Sequence, residues 1–525
     1  MSATRSVADV RSSLIERREI ALIDVREEGV FAESHPLFAA SLPLSRLELE
    51  VLDRIPRQTV AIVVYDSGEG LAQKAAARLR ELGYSDVSLL DGGLSGWAAA
   101  GAELFRDVNV PSKAFGELVE ATRHTPSIVA EELYAKLNAG EDLVVLDARR
   151  FEEYHVMSVP SGTNVPGGEL LLRVRDLAPN PDTLVVVNCA GRTRSIIGAQ
   201  SLINAAIPNR VAALRNGTIG WTLAGLPLEH GQARRHGTAA SSARGEALRA
   251  AQSLAERAGV GRVSWPELSN WTTDPTRTLY RFDVRTPEEY AAGHSAGFRS
   301  APGGQLVQET DVFAPVRGAR LVLTDDDGVR ANMTASWLAQ MGWEVFVIRA
   351  QAGAPNLECG TGRARLPPLP AVPSISAGDL VALLPTTPLL IVDLSSSTEY
   401  ARGHLPGAFF ALRSQLDKIS WAASPNTLIV LASPDAVLAT FAAPELESIS
   451  GRLPLVLSGG TAAWKAEGFK LEQGLTRCLG PVIDRYKRPY EGTDNPQEAM
   501  QGYLDWEYGL VAQLQRDATH HFRVI

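Results

Sequence analysis

Four times along the chain a short apolar run ends on an aspartate: Ala21-Leu-Ile-Asp24, Leu143-Val-Val-Leu-Asp147, Tyr280-Arg-Phe-Asp283 and Leu389-Leu-Ile-Val-Asp393. Each run leads into a polar loop with a carboxylate–tyrosine or similar pair and a turn of Gly-His-Pro-Gly type. A second apolar run, a short loop and a stretch with helical apolar spacing follow. The short β-prone runs predict buried strands, and the longer periodic stretches predict helices. Strands alternating with helices predict an α/β fold, a parallel sheet covered on both faces. The repeats recur roughly 110 to 136 residues apart, too long for a solenoid unit and right for a compact domain.

The second repeat carries the chemistry. In Leu184-Val-Val-Val-Asn-Cys189-Ala-Gly-Arg-Thr-Arg194-Ser-Ile, four apolar residues predict a buried strand, and Ser195 begins helical spacing. A loop between a strand and a helix N-terminus gathers backbone N–H groups into an anion cradle. A cysteine after an apolar run is ordinarily a passive small hydrophobe. Here two arginines within five positions and the immediate helix start predict a thiol of lowered pKa, a nucleophilic thiolate favoured by Arg192, Arg194 and the helix terminus.

Cys189-Ala-Gly-Arg-Thr-Arg194-Ser resembles the active-site loop of the rhodanese sulfurtransferases, which runs six residues from the catalytic cysteine. Related phosphatases of the same fold carry a loop one residue longer, with arginine seventh. Here the sixth residue is Arg194 and the seventh is Ser195, so loop length favours sulfur over phosphate chemistry. The resemblance extends to the Asp-Val-Arg strand ends at Asp24 and Asp283 and to the closing Gly-Gly-x-x-x-Trp signatures ending at Trp97 and Trp464. It implies tandem rhodanese-like domains, each a parallel five-stranded sheet flanked by helices on both faces. Their expected spans are 1–105, 125–230, 258–370 and 372–475, with a separate tail over 476–525.

The same resemblance implies the reaction. Cys189 attacks a sulfane-sulfur anion such as thiosulfate, becomes a persulfide, and passes the sulfur to cyanide, a small thiol or a protein thiol. Ala190, Gly191, Arg192, Thr193 and Arg194 would bind substrate. Arg192 would hold the oxyanion end of the donor and Arg194 the charged sulfur. Asp147 and Arg149 would brace the loop from below. Asp66, Asp325 and Ser433 stand where the cysteine would be, so the other three copies are expected to be inactive. Two rival readings stay open: a non-enzymatic sulfur sensor or scaffold, and a cysteine-dependent phosphatase or arsenate reductase.

Composition narrows the field. At 525 residues with 45% hydrophobic and 21% charged residues, the chain reads as an ordinary multidomain globular protein. A net charge of −9 argues against nucleic acid, and no apolar run suggests a membrane span. Three dispersed cysteines suggest a reducing, cytoplasmic setting, with Cys359 and Cys478 passive. No cofactor or metal is expected. Asp325 to Asp327 read as a solvated loop and His520-His521 as a surface pair. Residues 105–126 read as a connector with a short helix, 231–244 as a linker, and the helix from Glu246 as a brace between the halves. The stretch from Gln497 reads as a packing helix, within the chain or across a homodimer.

Overall fold

The four Asp-ended runs are central strands in a computed structural model that describes residues 3–349, 357–422, 424 and 426–525. In the second repeat the strand order is Ser127–Ile128, Val211–Leu214, Leu184–Asn188, Leu143–Asp147, Thr163–Asn164, all parallel. The third and fourth repeats build five-stranded parallel sheets with the same connectivity. The side chains of Leu184–Asn188 alternate between two cores, as a strand buried on both faces requires. Val185 and Val187 pack with Leu170, Ala199 and Leu202, while Val186 packs with Leu133, Leu214 and Trp221.

The first sheet departs from the five-stranded expectation. It gains a sixth strand, Val316–Arg317, donated antiparallel to Ile20–Asp24 by the third repeat. The connector also differs. Residues Val110–Arg123 form a fourteen-residue helix whose Val110, Ala114, Phe115 and Val119 are buried against neighbouring cores. Its apolar spacing is helical, but only tertiary contacts on several sides explain so thorough a burial. The helix from Glu246 starts earlier, at Ser241, and packs on helices of both the second and the third repeats.

The tail is not separate. Gly509 divides it into helices Gln497–Tyr508 and Leu510–Asp517, both against the connector helix. Beyond them Phe522 stacks edge-on against Phe38 and Phe115. The Arg523 N–H donates to the Gln340 carbonyl at 2.8 Å, tying the chain end to the third repeat. His520 and His521 are therefore half-buried rather than a surface pair. Among the described residues no helix is long and apolar enough to cross a membrane.

Buried charges lock the fourth repeat to the first. Glu48 accepts from both Arg413 Nη atoms at 2.6 and 3.0 Å, with side chains 1% and 3% exposed. Removing one partner of a buried pair strands the other charge, at a cost of about 3–5 kcal/mol. Glu48→Ala is expected to lower stability by about 3 kcal/mol, the low end because Glu445 still pairs with Arg413. Urea unfolding would report this as a lower midpoint; an unchanged midpoint would count against the bridge.

Candidate active site

Parallel pairing sets Asp147 beside Asn188, the residue before the cysteine. Asn188 Nδ2 donates to Asp147 Oδ2 at 2.7 Å. Arg149 donates to the same carboxylate from Nε at 2.9 Å and from Nη2 at 2.7 Å. Arg149 Nη2 also reaches the Met157 carbonyl at 2.7 Å. The Gly-His of the third and fourth repeats is absent here, yet Arg285 makes the equivalent bond to Gly293 O and Arg26 to Ser34 O, so only a backbone carbonyl is needed. These buried groups brace the strand end that leads into the loop.

Beyond that strand end the loop turns into the helix Thr193–Asn204, which begins two residues before the expected Ser195. The closing turn presses against it: a Cβ on Gly217, at φ +53°, would lie 2.3 Å from Cys189 O. Thr218 N and Ile219 N donate to the carbonyls of Cys189 and Ala190 at 2.9 and 3.0 Å. With those carbonyls occupied, the loop offers N–H groups rather than oxygens to an anion. Cys189 Sγ lies 3.5 Å from Ser195 Oγ, and both the hydroxyl and the backbone N–H of Ser195 favour the thiolate.

The same backbone N–H, six residues on, recurs in the other copies. Ala72 N donates to Asp66 Oδ2 at 3.0 Å and Ala331 N to Asp325 Oδ2 at 2.9 Å. Ala439 N donates to Ser433 Oγ at 3.3 Å. Gly68 N and Gly328 N serve the second oxygens of the two carboxylates. Those two cradles are filled by their own side chains. The solvated-loop expectation for Asp325 to Asp327 fails for two of the three, because Asp325 and Asp327 are buried against backbone N–H groups and Arg330.

The electrostatics correct two expectations at Cys189. The thiol is 1% exposed, and burial pushes its pKa up rather than down, against the opposing pull of Arg194 and Ser195. Arg192 does not join that pull. Its guanidinium is turned to Glu117, at 2.7 and 2.9 Å, and to Glu120, under the Tyr508 ring at 4.1 Å. An arginine whose charge is shared between two carboxylates has little left for a donor oxyanion. The Arg194 charge does favour the thiolate. It is held by Glu153 through bonds of 2.7 and 2.8 Å. Burial works to raise the Glu153 carboxyl, but Arg194 overcomes it and holds the pKa at about 2.

The tail roofs the loop. Tyr490, Met500, Tyr503 and Leu504 pack with Ala190 and Ile219. A Cβ on Gly191 would lie 3.2 Å from Tyr503 Cε1 and 3.4 Å from Glu507 Oε2. Thr193 Oγ1 lies 3.4 Å from Glu507 Oε1, which also accepts from Tyr503 OH at 2.8 Å. Sequence reasoning missed Glu153, Tyr490, Tyr503 and Glu507. One signal was present: Glu507 sits on the buried stripe of Met500, Tyr503 and Leu504, a charge where the helical period calls for an apolar residue.

Arg194→Ala is expected to raise the Cys189 pKa further, read as a higher midpoint in pH-dependent alkylation. The rate with thiosulfate should fall on the order of ten- to a thousandfold. Arg192→Ala is expected to leave that midpoint nearly unmoved while lowering thermal stability, since it frees Glu117 and Glu120. Equal midpoint shifts in the two variants would refute the division of roles.

The rhodanese-like domain model matches residues 7–100, 129–224 and 376–467. The third repeat lies outside those matches although its sheet has the same strand order. The solved structure of a thiosulfate sulfurtransferase from Pseudomonas aeruginosa is 59% identical, superposes with a TM-score of 0.98, and covers 100% of both chains. A curated thiosulfate sulfurtransferase of Azotobacter vinelandii is 25% identical over 216 residues, covering 34% of this chain and 79% of its own. An HTH-type transcriptional regulator of Mycobacterium tuberculosis is 32% identical over 111 residues, covering 21% of this chain and 48% of its own. The chain thus spans about half the length of that relative, and likewise of an uncharacterized Synechocystis protein, 35% identical over 92 residues, 18% of this chain and 50% of its own. With more than half of its residues matched, the chain belongs to the rhodanese-like domain family.

Proposed function

We propose that the chain is a rhodanese-type sulfurtransferase that moves sulfane sulfur through a persulfide on Cys189. The observation that carries this reading is the shared cradle N–H: in the second repeat alone it points at a cysteine. The Cys189 thiolate attacks the outer sulfur of thiosulfate or a related sulfur anion. The sulfur–sulfur bond of the donor breaks, and its electron pair leaves with sulfite. The persulfide stays in the cradle, stabilised by the loop N–H groups and by Arg194. A small thiol, cyanide or a protein thiol then attacks the outer sulfur and regenerates Cys189, which makes the kinetics ping-pong.

The buried thiol refines this sequence of events. Because burial disfavours the thiolate, the proton must leave before attack, and Arg194 is the charge that makes this affordable. Ala190, Gly191 and Thr193 contribute loop backbone to the cradle, while Asp147 and Arg149 hold the strand end beneath it. A six-residue loop closed by Arg194 and Ser195 supports sulfur over phosphoryl chemistry. All three cysteines are free, which supports a reducing, cytoplasmic setting.

Intact-protein mass spectrometry after thiosulfate treatment tests the intermediate. The wild type should gain the mass of one sulfur atom and lose it on addition of cyanide or a thiol. Cys189→Ser should gain none and turn over nothing, whereas Cys359→Ser and Cys478→Ser, both at exposed positions, should behave as wild type. Full activity in Cys189→Ser, or faster hydrolysis of an aryl phosphate than thiosulfate:cyanide transfer, would overturn the reading.

A further inference from the structure

We propose that Glu507, carried to the Cys189 loop by the tail helix Gln497–Tyr508, accepts and returns the proton in the sulfur-transfer cycle; this rests on the sulfurtransferase reading. The carboxylate belongs to no rhodanese-like repeat. It lies beyond the last matched segment, on a helix that covers the loop of the second.

The geometry is specific. Glu507 is fully buried, and its two oxygens differ. Oε1 is taken by Tyr503 OH and faces Thr193 Oγ1. Oε2 has no hydrogen-bond partner and lies against Gly191, two residues from the thiol. A buried polar atom with no partner is costly unless it has work to do. A methyl at Gly191 would press on Tyr503 Cε1 at 3.2 Å, so the small residue lets the tail helix lie close over the loop.

The surroundings tune the group. From the connector helix, Lys113 favours the carboxylate and Glu117 opposes it, while Lys113 is itself paired with Asp107. From the loop, Arg192 favours the carboxylate, and from its own helix so does the Tyr503 hydrogen bond. Lys113 also lies 5.0 Å from the Tyr503 ring and 5.8 Å from that of Tyr490. Burial outweighs these and lifts the Glu507 pKa to about 8. The Glu507 charge in turn raises the Cys189 thiol.

The steps balance. The Cys189 thiol gives its proton to the Glu507 carboxylate. The thiolate bonds the outer sulfur of thiosulfate as the donor's sulfur–sulfur bond breaks, and sulfite leaves with the electron pair. Glu507 protonates the departing sulfite. In the second half, an acceptor thiol gives its proton to Glu507, and its thiolate bonds the outer persulfide sulfur. The bond to Cys189 breaks, the pair stays on the Cys189 sulfur, and Glu507 returns the proton to it.

The test is single-turnover persulfide formation from thiosulfate, quenched and read by mass spectrometry from neutral to alkaline pH. In the wild type the rate should rise as Glu507 loses its proton and can accept that of the thiol, with a midpoint near its value of about 8. Glu507→Gln keeps the shape and an oxygen for Tyr503 and Thr193. It should slow the step on the order of a hundredfold and move the midpoint up to that of the isolated thiol. Tyr503→Phe removes a bond that lowers the Glu507 pKa, so its midpoint should also rise while most of the rate remains. A purely structural Glu507 predicts lower melting temperatures with the wild-type midpoint, and that result in both variants would overturn the proposal. Should Glu507→Gln not fold, an unmoved midpoint in Tyr503→Phe overturns it. If the wild type forms no persulfide on Cys189, the sulfurtransferase reading fails and this one with it; a Cys189 persulfide with unmoved midpoints defeats this one alone.

Discussion

A backbone N–H at the start of a helix must have an acceptor, and in this protein that demand recurs four times at the same place. The helix following each cradle loop aims the N–H of its early residues at the side chain of the loop's first residue. Aspartate meets the demand in the first and third repeats and serine in the fourth. Each of these residues closes its own cradle from within. Cysteine accepts hydrogen bonds poorly and sits at a pKa that burial has raised, so the N–H of the second cradle meets a weaker acceptor than those of the other three.

The arginines that follow these loops have diverged in the same way. Arg194 reaches the thiol's field while anchored to Glu153. Arg330, its counterpart in the third repeat, is buried among Asp326, Asp327 and Glu289 and crosses to Glu169 of the second repeat at 2.8 Å. The cation at the position matching Arg194 here fastens one repeat to another. Nearby, the turns Gly167-Gly168 and Gly303-Gly304 approach so closely that a Cβ on Gly304 would meet Gly168 N at 3.1 Å. The third repeat therefore contributes structure: it donates a strand to the first sheet and a wall to the second repeat.

The C-terminal tail completes the arrangement. Its two helices lie on the connector helix, which in turn lies on the helix after Cys189, so one buried stack runs from the chain end to the thiol. That stack dries the loop, which is why Cys189 is buried and why Glu507 keeps its proton to about pH 8. It also draws Arg192 away, because Glu117 and Glu120 on the connector helix present carboxylates at the right height.

Local sequence determined a good deal. The apolar runs ending in Asp24, Asp147, Asp283 and Asp393 specify central parallel strands because period and composition are local properties. The loop from Cys189 to Arg194 specifies a cradle because a strand, a tight turn and a helix start are all written within a dozen residues. Distant partners were not legible. Nothing near Arg192 in the chain announces Glu117, and nothing near Cys189 announces Glu507, more than three hundred positions on. The thiol pKa was misjudged for the same reason: charge near a residue can be read along the chain, but burial is set by whatever packs over it. Sequence by itself determined which loop sets a cysteine and two arginines at a helix start. Only the tertiary structure decided which arginine favours the thiolate and which carboxylate packs over its loop, because desolvation and long-range charge pairing are properties of the packed chain.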